Sequence, residues 1–253
     1  MRQSTVVAVS LVAALAAGAV TADTVAASRA EARLSRGAEE FDRLASAPDA
    51  YIGGFPFSAA VLTRKVPRVT LTTLDAPVEG LGVVNATAEA FDIHLAGSGA
   101  PERVYNADFV GSEARLVRRR IRLDGVAFGQ LLGMTDLDIS NPYDISPLGG
   151  VASEAQLTGT PPGMGEPATV VVTLRLSDGV FSMRPSSLID VPTGASADDV
   201  LAAFTLDRNT RDLPLGGPAD LVQVSGGSVE FSRDRINVVL APDDLTPLAP
   251  TSA

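Results

Sequence analysis

Residues 169–184 read TVVVTLRLSDGVFSMR, and this stretch is the most informative one for the fold class. Two runs of alternating apolar and polar residues flank Asp178-Gly179, a dipeptide that strongly favours a two-residue β-hairpin turn. Counting outward from the turn places Leu174 opposite Met183, with both side chains on one face. The stretch therefore predicts an antiparallel hairpin with one apolar face.

A second glycine turn near the C-terminus predicts another hairpin. Gly226-Gly227 separates two further alternating runs and sets Val224 across from Val229. A second turn at Arg233-Asp234 would add a third strand and produce a meander. A bulged continuous strand through the two glycines is the alternative.

Two earlier strands are predicted at residues 66–74 and 83–95. In the second of them, the apolar positions change parity between Ala90 and Phe91 without any turn signal, which indicates a β-bulge. Beyond the bulge His94, the only histidine of the chain, faces solvent. We therefore expect His94 to be a surface residue rather than a catalytic one.

Helices are predicted at three places. Beyond Asp23, apolar residues recur at spacings of three and four, which predicts an amphipathic helix that ends before Pro48. Its apolar stripe packs on the domain or, in the alternative, lies on a membrane surface. Two short helices are expected at residues 128–134 and 197–204, the second capped by Ser196.

Together these elements predict an α+β fold, in which a long N-terminal helix accompanies a curved, mostly antiparallel β-sheet that forms an apolar trough. Residues 23–246 are expected to form a single domain. A turn-rich loop is predicted at residues 141–150. Residues 247–253 are predicted to be a flexible tail.

The first residues predict export. Arg2 precedes residues 5–22, which are Ala, Val, Leu and Gly with only Ser and Thr as polar members. This segment has about the minimum length for crossing a bilayer, so a cleaved signal peptide and a retained anchor are both open. The small residues Ala17 and Ala19 are typical of a cleavage site for signal peptidase. The helical pattern that continues past Asp23 instead favours a retained anchor. The predicted location is the periplasm or the outer face of the plasma membrane.

Composition excludes several classes of function. With no Cys and one His, the chain cannot form disulfides or thiolate metal sites and is short of ligands for a His-based zinc site. A net charge of −10 argues against a nucleic-acid partner. Asp136 and Asp138 could offer oxygen ligands to calcium but lack the glycine and glutamate of an EF-hand. We find no phosphate loop, nucleophile elbow or dinucleotide motif, and therefore predict no cofactor, metal or catalytic residue.

Residues 51–57, YIGGFPF, are the first candidate binding segment because three aromatic residues surround two glycines and a proline. In an extended chain Phe55 and Phe57 point the same way and would present a paired aromatic surface. They would line the mouth of an apolar groove. The alternative is that they pack in the core.

Residues 115–122 are the second candidate, because they hold the one concentration of basic residues on an acidic chain. As a strand, this run places Arg118, Arg120 and Arg122 on one face and Arg119 on the other with the apolar residues. The three arginines would contact a phosphate headgroup or, alternatively, form a solvated strand face.

The motif Ile52-Gly-Gly-Phe-Pro-Phe57, after an apolar segment and an amphipathic helix, resembles the LmeA family of actinobacterial phospholipid-binding envelope proteins. Residues 131–147 and 224–227 are similar to further blocks of that family. The resemblance covers most of the chain from residue 5 to about residue 240.

The resemblance implies a non-enzymatic periplasmic protein that binds phospholipid and supports the assembly of envelope glycolipids or lipid transfer. It also implies a curved antiparallel sheet around a helix, similar to tubular lipid-binding domains. The resemblance suggests no catalytic residues. It implies contact with lipid only for Phe55 and Phe57. The expected partners are phospholipids, including anionic ones, and a membrane enzyme. The N-terminal segment is expected to contact the membrane. The alternatives are a scaffold that docks a membrane enzyme through its sheet and, third, an enzyme acting on a glycan or lipid.

Overall fold

The computed structural model describes residues 2–42, 44–142 and 153–249. Most of the predicted loop at 141–150 and residues 250–253 of the predicted tail lie outside these ranges. Within them, the α-helices are α1 (Arg2–Asp42), α2 (Ala59–Thr63), α3 (Ala100–Asn106), α4 (Gly125–Leu132) and α5 (Ala197–Ala203).

The strands of the described residues form two antiparallel sheets. The first sheet has the order β1-β2-β3-β4-β11-β10 and consists of β1 (Asp49–Ile52), β2 (Lys65–Val78), β3 (Gly82–His94), β4 (Glu113–Asp124), β10 (Leu221–Ser225) and β11 (Ser228–Val239). The second has the order β5-β6-β7-β8-β9 and consists of β5 (Asp138–Ser140), β6 (Glu154–Gly159), β7 (Ala168–Ser177), β8 (Val180–Asp190) and β9 (Leu206–Asn209). The predicted α+β class with a long N-terminal helix is confirmed, although the strands divide over two sheets and neither closes into a barrel.

Contacts along the chain define two compact units. The first unit comprises Met1–Leu71, Glu89–Val117 and Arg235–Thr246, and the second comprises Thr72–Ala88, Arg118–Asp234 and Pro247–Ala253. The expectation of one domain over residues 23–246 stays a prediction.

The core of the first unit forms between α1 and its strands. Ala30, Leu34 and Ala38, which recur at spacings of four along α1, are buried together with apolar residues of β2 to β4. This confirms that the stripe packs on the protein, because residues at this spacing share one helix face. Further core residues are Val66, Val69, Leu71, Ile93, Val104, Phe109 and Val117.

The predicted hairpin lies in the second unit and is confirmed. Leu174 pairs with Met183 across the turn, and both side chains are buried. Asp178 and Gly179 have φ values of 52° and 77°, as a type I′ turn requires at its two central residues. The core of this unit also holds Phe181, whose ring packs edge-on against neighbouring aromatic rings.

The C-terminal hairpin is confirmed in part. Val224 pairs with Val229 across Gly226-Gly227, as predicted. The second turn at Arg233-Asp234 is wrong, because β11 runs on without interruption to Val239. The side chain of Asp234 is instead engaged across the sheet, by Arg118 of β4, and its backbone N–H donates to Asp220 at 2.8 Å.

The predicted bulge in β3 is also confirmed. Asp92 has a φ of 50°, and beyond it Ile93 is buried whereas His94 is exposed. α4 begins at Gly125, three residues before the predicted start, because the side chain of Asp124 caps it by accepting a 2.8 Å bond from Ala127 N. The cap of α5 by Ser196 is as predicted.

The described part of the predicted tail is packed. Ala249 is buried, and its N–H donates to the carbonyl oxygen of Pro214 at 3.0 Å. The prediction for the tail as a whole stays a prediction.

Candidate functional site

The chain that follows α1 runs back along the helix toward its N-terminal end. Ser35 Oγ donates to the carbonyl oxygen of Pro48 at 2.5 Å. Further along, the backbone N–H of Ile52 donates to Glu31 Oε1 at 3.0 Å. As the residue number rises from 48 to 52, the helix partner falls from 35 to 31, so β1 is antiparallel to α1.

Asp23 makes the last of these contacts. Its carboxylate oxygens accept hydrogen bonds from Phe57 N at 2.6 Å and from Ser58 N at 2.7 Å. Ser58 is the N-cap of α2, and its own side chain makes no capping bond. The carboxylate of Asp23 therefore satisfies backbone donors that begin α2, as capping groups do at other helix starts.

Packing of α1 begins at the same residue. The described side chains before it, at position 7 and positions 10–22, are all exposed, whereas Asp23 is half-buried. Residues Ser10–Phe41 form a helix that is long and apolar enough to cross a membrane, a test that signal sequences also pass. The folded part of the chain thus begins where the predicted signal or anchor ends.

The two phenylalanines of the motif lie in different environments. Phe55 is 77% exposed, whereas Phe57 is 3% exposed and packs edge-on against the ring of Tyr105 at 6.0 Å. The expected paired aromatic surface is wrong, because the segment is not extended: Ala59 N–H donates to Pro56 O at 3.0 Å and bends the chain. Only Phe55 is available to a partner.

Leu62 of α2 is a second exposed apolar residue close to the motif, and sequence reasoning did not single it out. It is 87% exposed, while Ala60 on the other side of the same short helix is buried. Residues two apart on an α-helix point in nearly opposite directions, at 3.6 residues per turn. The run Ala59–Thr63 contains no alternation of apolar and polar residues, so the sequence offered no signal that Leu62 is exposed.

An open depression of about 690 Å³ lies on the outer face of the first sheet, within the first unit. Four neighbouring strands contribute the lining residues: Lys65, Val66 and Pro67 from β2, Asp92 and His94 from β3, Glu113, Ala114 and Arg115 from β4, and Asn237 and Val239 from β11. The volume is in the range of small-molecule sites, and six of the ten lining residues are charged or polar. Sequence reasoning missed it because its residues come from strands far apart along the chain.

The motif lies next to this depression, because Gly54 is close to Pro67, one of the lining residues. Gly54 has a φ of 119°, and a Cβ atom added there would lie 3.3 Å from Cδ of Pro67. Within this lining, Arg115 Nε donates to Asp92 Oδ2 at 2.6 Å. The positive charge of Arg115 and the negative charge of Asp92 therefore compensate each other.

The predicted arginine face is confirmed on β4. Arg118, Arg120 and Arg122 are half-buried on one face, and Arg119 is buried on the other among Val117, Ile121 and Leu123. Arg118 makes a two-pronged contact with Asp234, at 2.7 Å and 2.6 Å. Its charge is therefore already neutralised.

Arg122 differs because its partner is neutral. Its Nη2 donates to the carbonyl oxygen of Ser225 at 2.9 Å, and its Nε is buried and makes no hydrogen bond to any described residue. No carboxylate of the described residues pairs with it. The positive charge of Arg122 is thus better placed than that of Arg118 to meet an anionic group.

Phe55 and Phe57 belong to the first unit, whereas Arg118, Arg120 and Arg122 belong to the second. The structure therefore does not gather the five predicted residues within a single unit.

Asp136, considered above as a calcium ligand, is engaged by Thr160. It accepts bonds from Thr160 N at 2.9 Å and from Thr160 Oγ1 at 2.7 Å. These two hydrogen bonds lower the pKa of Asp136 below its usual value, since they favour the charged form. Among residues 2–42, 44–142 and 153–249, no three His, Asp or Glu side chains are grouped so as to hold a metal ion.

Comparison with known proteins identifies a family. The family model for LmeA-like phospholipid-binding proteins matches residues 21–232. No curated protein and no solved structure matches the chain. The matched range starts just before Asp23 and includes both the motif and the arginine face.

Proposed function

Because the chain belongs to the LmeA-like phospholipid-binding family, we propose that it binds phospholipid without catalysis in the cell envelope. In this role it would support the assembly of envelope glycolipids or the transfer of lipid. The family match over residues 21–232 is the observation that carries the proposal. Membership of a lipid-binding family also suggests a protein that is not an enzyme.

Export is part of the proposal. It is supported by the apolar helical segment at residues 5–22, whose described side chains make no buried contact with the rest of the protein. Such a segment is typical of a signal peptide or a membrane anchor.

Within the motif, we assign lipid contact to Phe55, since its exposed ring is the apolar surface that an acyl chain could cover. Phe57 would contribute from the core, by fixing the segment that carries Phe55. Its contact with Tyr105 and the bond to Asp23 support this division of roles.

For the headgroup, we assign contact to Arg118, Arg120 and Arg122, with Arg122 foremost. A guanidinium group matches the geometry of a phosphate, and Arg122 faces a neutral carbonyl rather than a carboxylate. Arg118 would have to exchange Asp234 for the phosphate, which makes it the weaker contact.

The test is to purify the full chain gently from membranes and to identify bound lipid by native mass spectrometry. We expect phospholipid in a stoichiometric amount. A lipid-free protein that co-purifies with a membrane enzyme would instead support the scaffold alternative. Conversion of the added lipid by the purified chain would support the enzyme alternative.

A further inference from the structure

One end of the first unit carries an exposed apolar surface of which the proposed function uses only Phe55. Leu62 and Phe55 are the two most exposed large apolar side chains among the described residues. Both lie close to the segment held by Asp23: Phe55 two residues before Phe57, and Leu62 about one helical turn, or ~6 Å, beyond Ser58. We call Phe55 and Leu62 the apolar tip.

The position of the apolar tip along α1 follows from three contacts. Pro48 is bound at helix position 35, Ile52 at position 31, and Phe57 at position 23. The segment from residue 48 to residue 57 therefore runs along α1 from the C-terminal part of the helix toward its N-terminal part. The apolar tip lies near Asp23. Residues 5–22, the apolar segment, continue from that same point.

The dimensions fit a bilayer. At the rise of an α-helix, residues 5–22 extend about 27 Å, close to the thickness of the hydrocarbon core of a typical membrane. With this segment inserted, Asp23 lies at the membrane surface and the apolar tip lies beside it. The charge of Asp23 is tolerable there because two backbone N–H groups already bind its carboxylate.

The residues next to the tip suit the headgroup region. Lys65, three residues after Leu62, is exposed and is the only lysine of the chain. A cationic side chain beside exposed apolar ones is typical of protein surfaces that rest on lipid.

We propose that the apolar tip docks on the surface of the bilayer that residues 5–22 enter, with Phe55 and Leu62 inserted among the lipids. The occupant of this surface is thus a lipid bilayer, and α1 stands upright on it rather than lying along it. The inference goes beyond the proposed function, because it concerns where the protein touches the membrane and not whether it holds a lipid molecule.

Site-specific fluorescence can test this placement, since the chain has no native cysteine. Phe55→Cys, Leu62→Cys and Phe41→Cys are each labelled with an environment-sensitive NBD dye in the full chain and reconstituted into phosphatidylcholine vesicles, with and without doxyl-labelled lipid. Phe41 is the matched control, because it is an exposed apolar residue about 27 Å further along α1 from Asp23. Circular dichroism verifies that each variant is folded.

We expect a blue shift of the dye emission and quenching by doxyl lipid at positions 55 and 62, and neither effect at position 41. Emission typical of water at both tip positions would overturn the proposal. Equal quenching at position 41 would also overturn it, because α1 would then lie flat on the membrane. The readout at position 62 does not depend on a bound lipid molecule, so it distinguishes membrane docking from the lipid binding that is assigned to Phe55.

Discussion

The carboxylate of Asp23 accepts a 2.6 Å hydrogen bond from the backbone N–H of Phe57, 34 residues further along the chain. This bond ties two elements together: α1, which carries the apolar segment, and the motif loop that leads into α2. It fixes the backbone so that Phe57 faces the core of the first unit while Phe55 faces outward. The two phenylalanines should therefore respond very differently to substitution.

Phe57→Ala should lower the free energy of unfolding by about 3–5 kcal/mol, because it leaves a cavity where a buried ring contacted Tyr105. Phe55→Ala is the matched control and should change stability by less than ~0.5 kcal/mol, since its ring is exposed. Denaturant unfolding followed by circular dichroism measures both. Equal losses for the two variants would contradict the assignment of Phe57 to the core.

Arg122→Gln should weaken binding to vesicles that contain anionic phospholipid by about tenfold, because a hydrogen bond to a charged group contributes roughly 1.5 kcal/mol. Binding to zwitterionic vesicles should change less. Arg175→Gln, an exposed arginine of β7 in the same unit, removes the same charge and is the control. If both variants lose the same affinity, net charge rather than a headgroup contact is responsible.

Gly179→Val should destabilise the protein by at least about 1 kcal/mol, since a β-branched residue is strained at a φ of 77°. A Cβ atom at this position would also lie 2.9 Å from Cβ of Pro218. Gly163→Val separates the two effects, because Gly163 has a φ of 82° but no atom near its Cβ position. Thermal unfolding should show the larger loss for Gly179→Val, and the reverse order would count against the close contact.

Asp136 should titrate below 3.8, its ordinary pKa, because the backbone and side-chain hydrogen bonds from Thr160 favour the carboxylate. The stabilisation that this group provides is then complete above the unfolded-state pKa and is lost as the pH falls through the lower, folded-state pKa. Carboxyl-carbon NMR measures the titration directly. Thr160→Val removes the hydroxyl donor and should move the midpoint upward, whereas an unchanged midpoint would show that the hydroxyl has no influence.

Residues 1–50 fused to a reporter enzyme that is active only outside the cytoplasm should give activity, because Arg2 followed by the apolar segment is the pattern of an export signal. Replacing Leu11 and Leu15 with Asp in the same fusion should abolish it. A silent wild-type fusion would refute export. The mass of the mature chain then shows whether cleavage occurs near Ala19 or the segment is retained.

Features set by neighbours in the sequence were predictable. The turn at Asp178-Gly179 depends on the φ preferences of two adjacent residues, and the bulge at Asp92 depends on a change of parity within one strand. The common face of Arg118, Arg120 and Arg122 follows from the two-residue period of a strand. In each case, the residues that determine the feature lie within a few positions of it in the sequence.

Features set by distant residues were not predictable. β11 continues past Arg233-Asp234, where Asp234 is held by Arg118, 116 residues away. Phe57 turns inward at a bend that Asp23 secures from α1. The depression on the first sheet needs residues from four strands. Alternation along a single segment carries no information about such partners.

The antiparallel course of residues 48–58 along α1 would affect how the protein folds under the proposed export. These hydrogen bonds close loops of 13, 21 and 34 residues, so the entropy cost of closing each loop is small and they can form early. The core of the same unit also requires Arg235–Thr246, near the C-terminus. In a chain that crosses the membrane N-terminus first, the part of the unit next to the apolar segment can therefore fold as soon as it has crossed. The apolar interior of the unit, however, stays open to water until the last strand has been translocated.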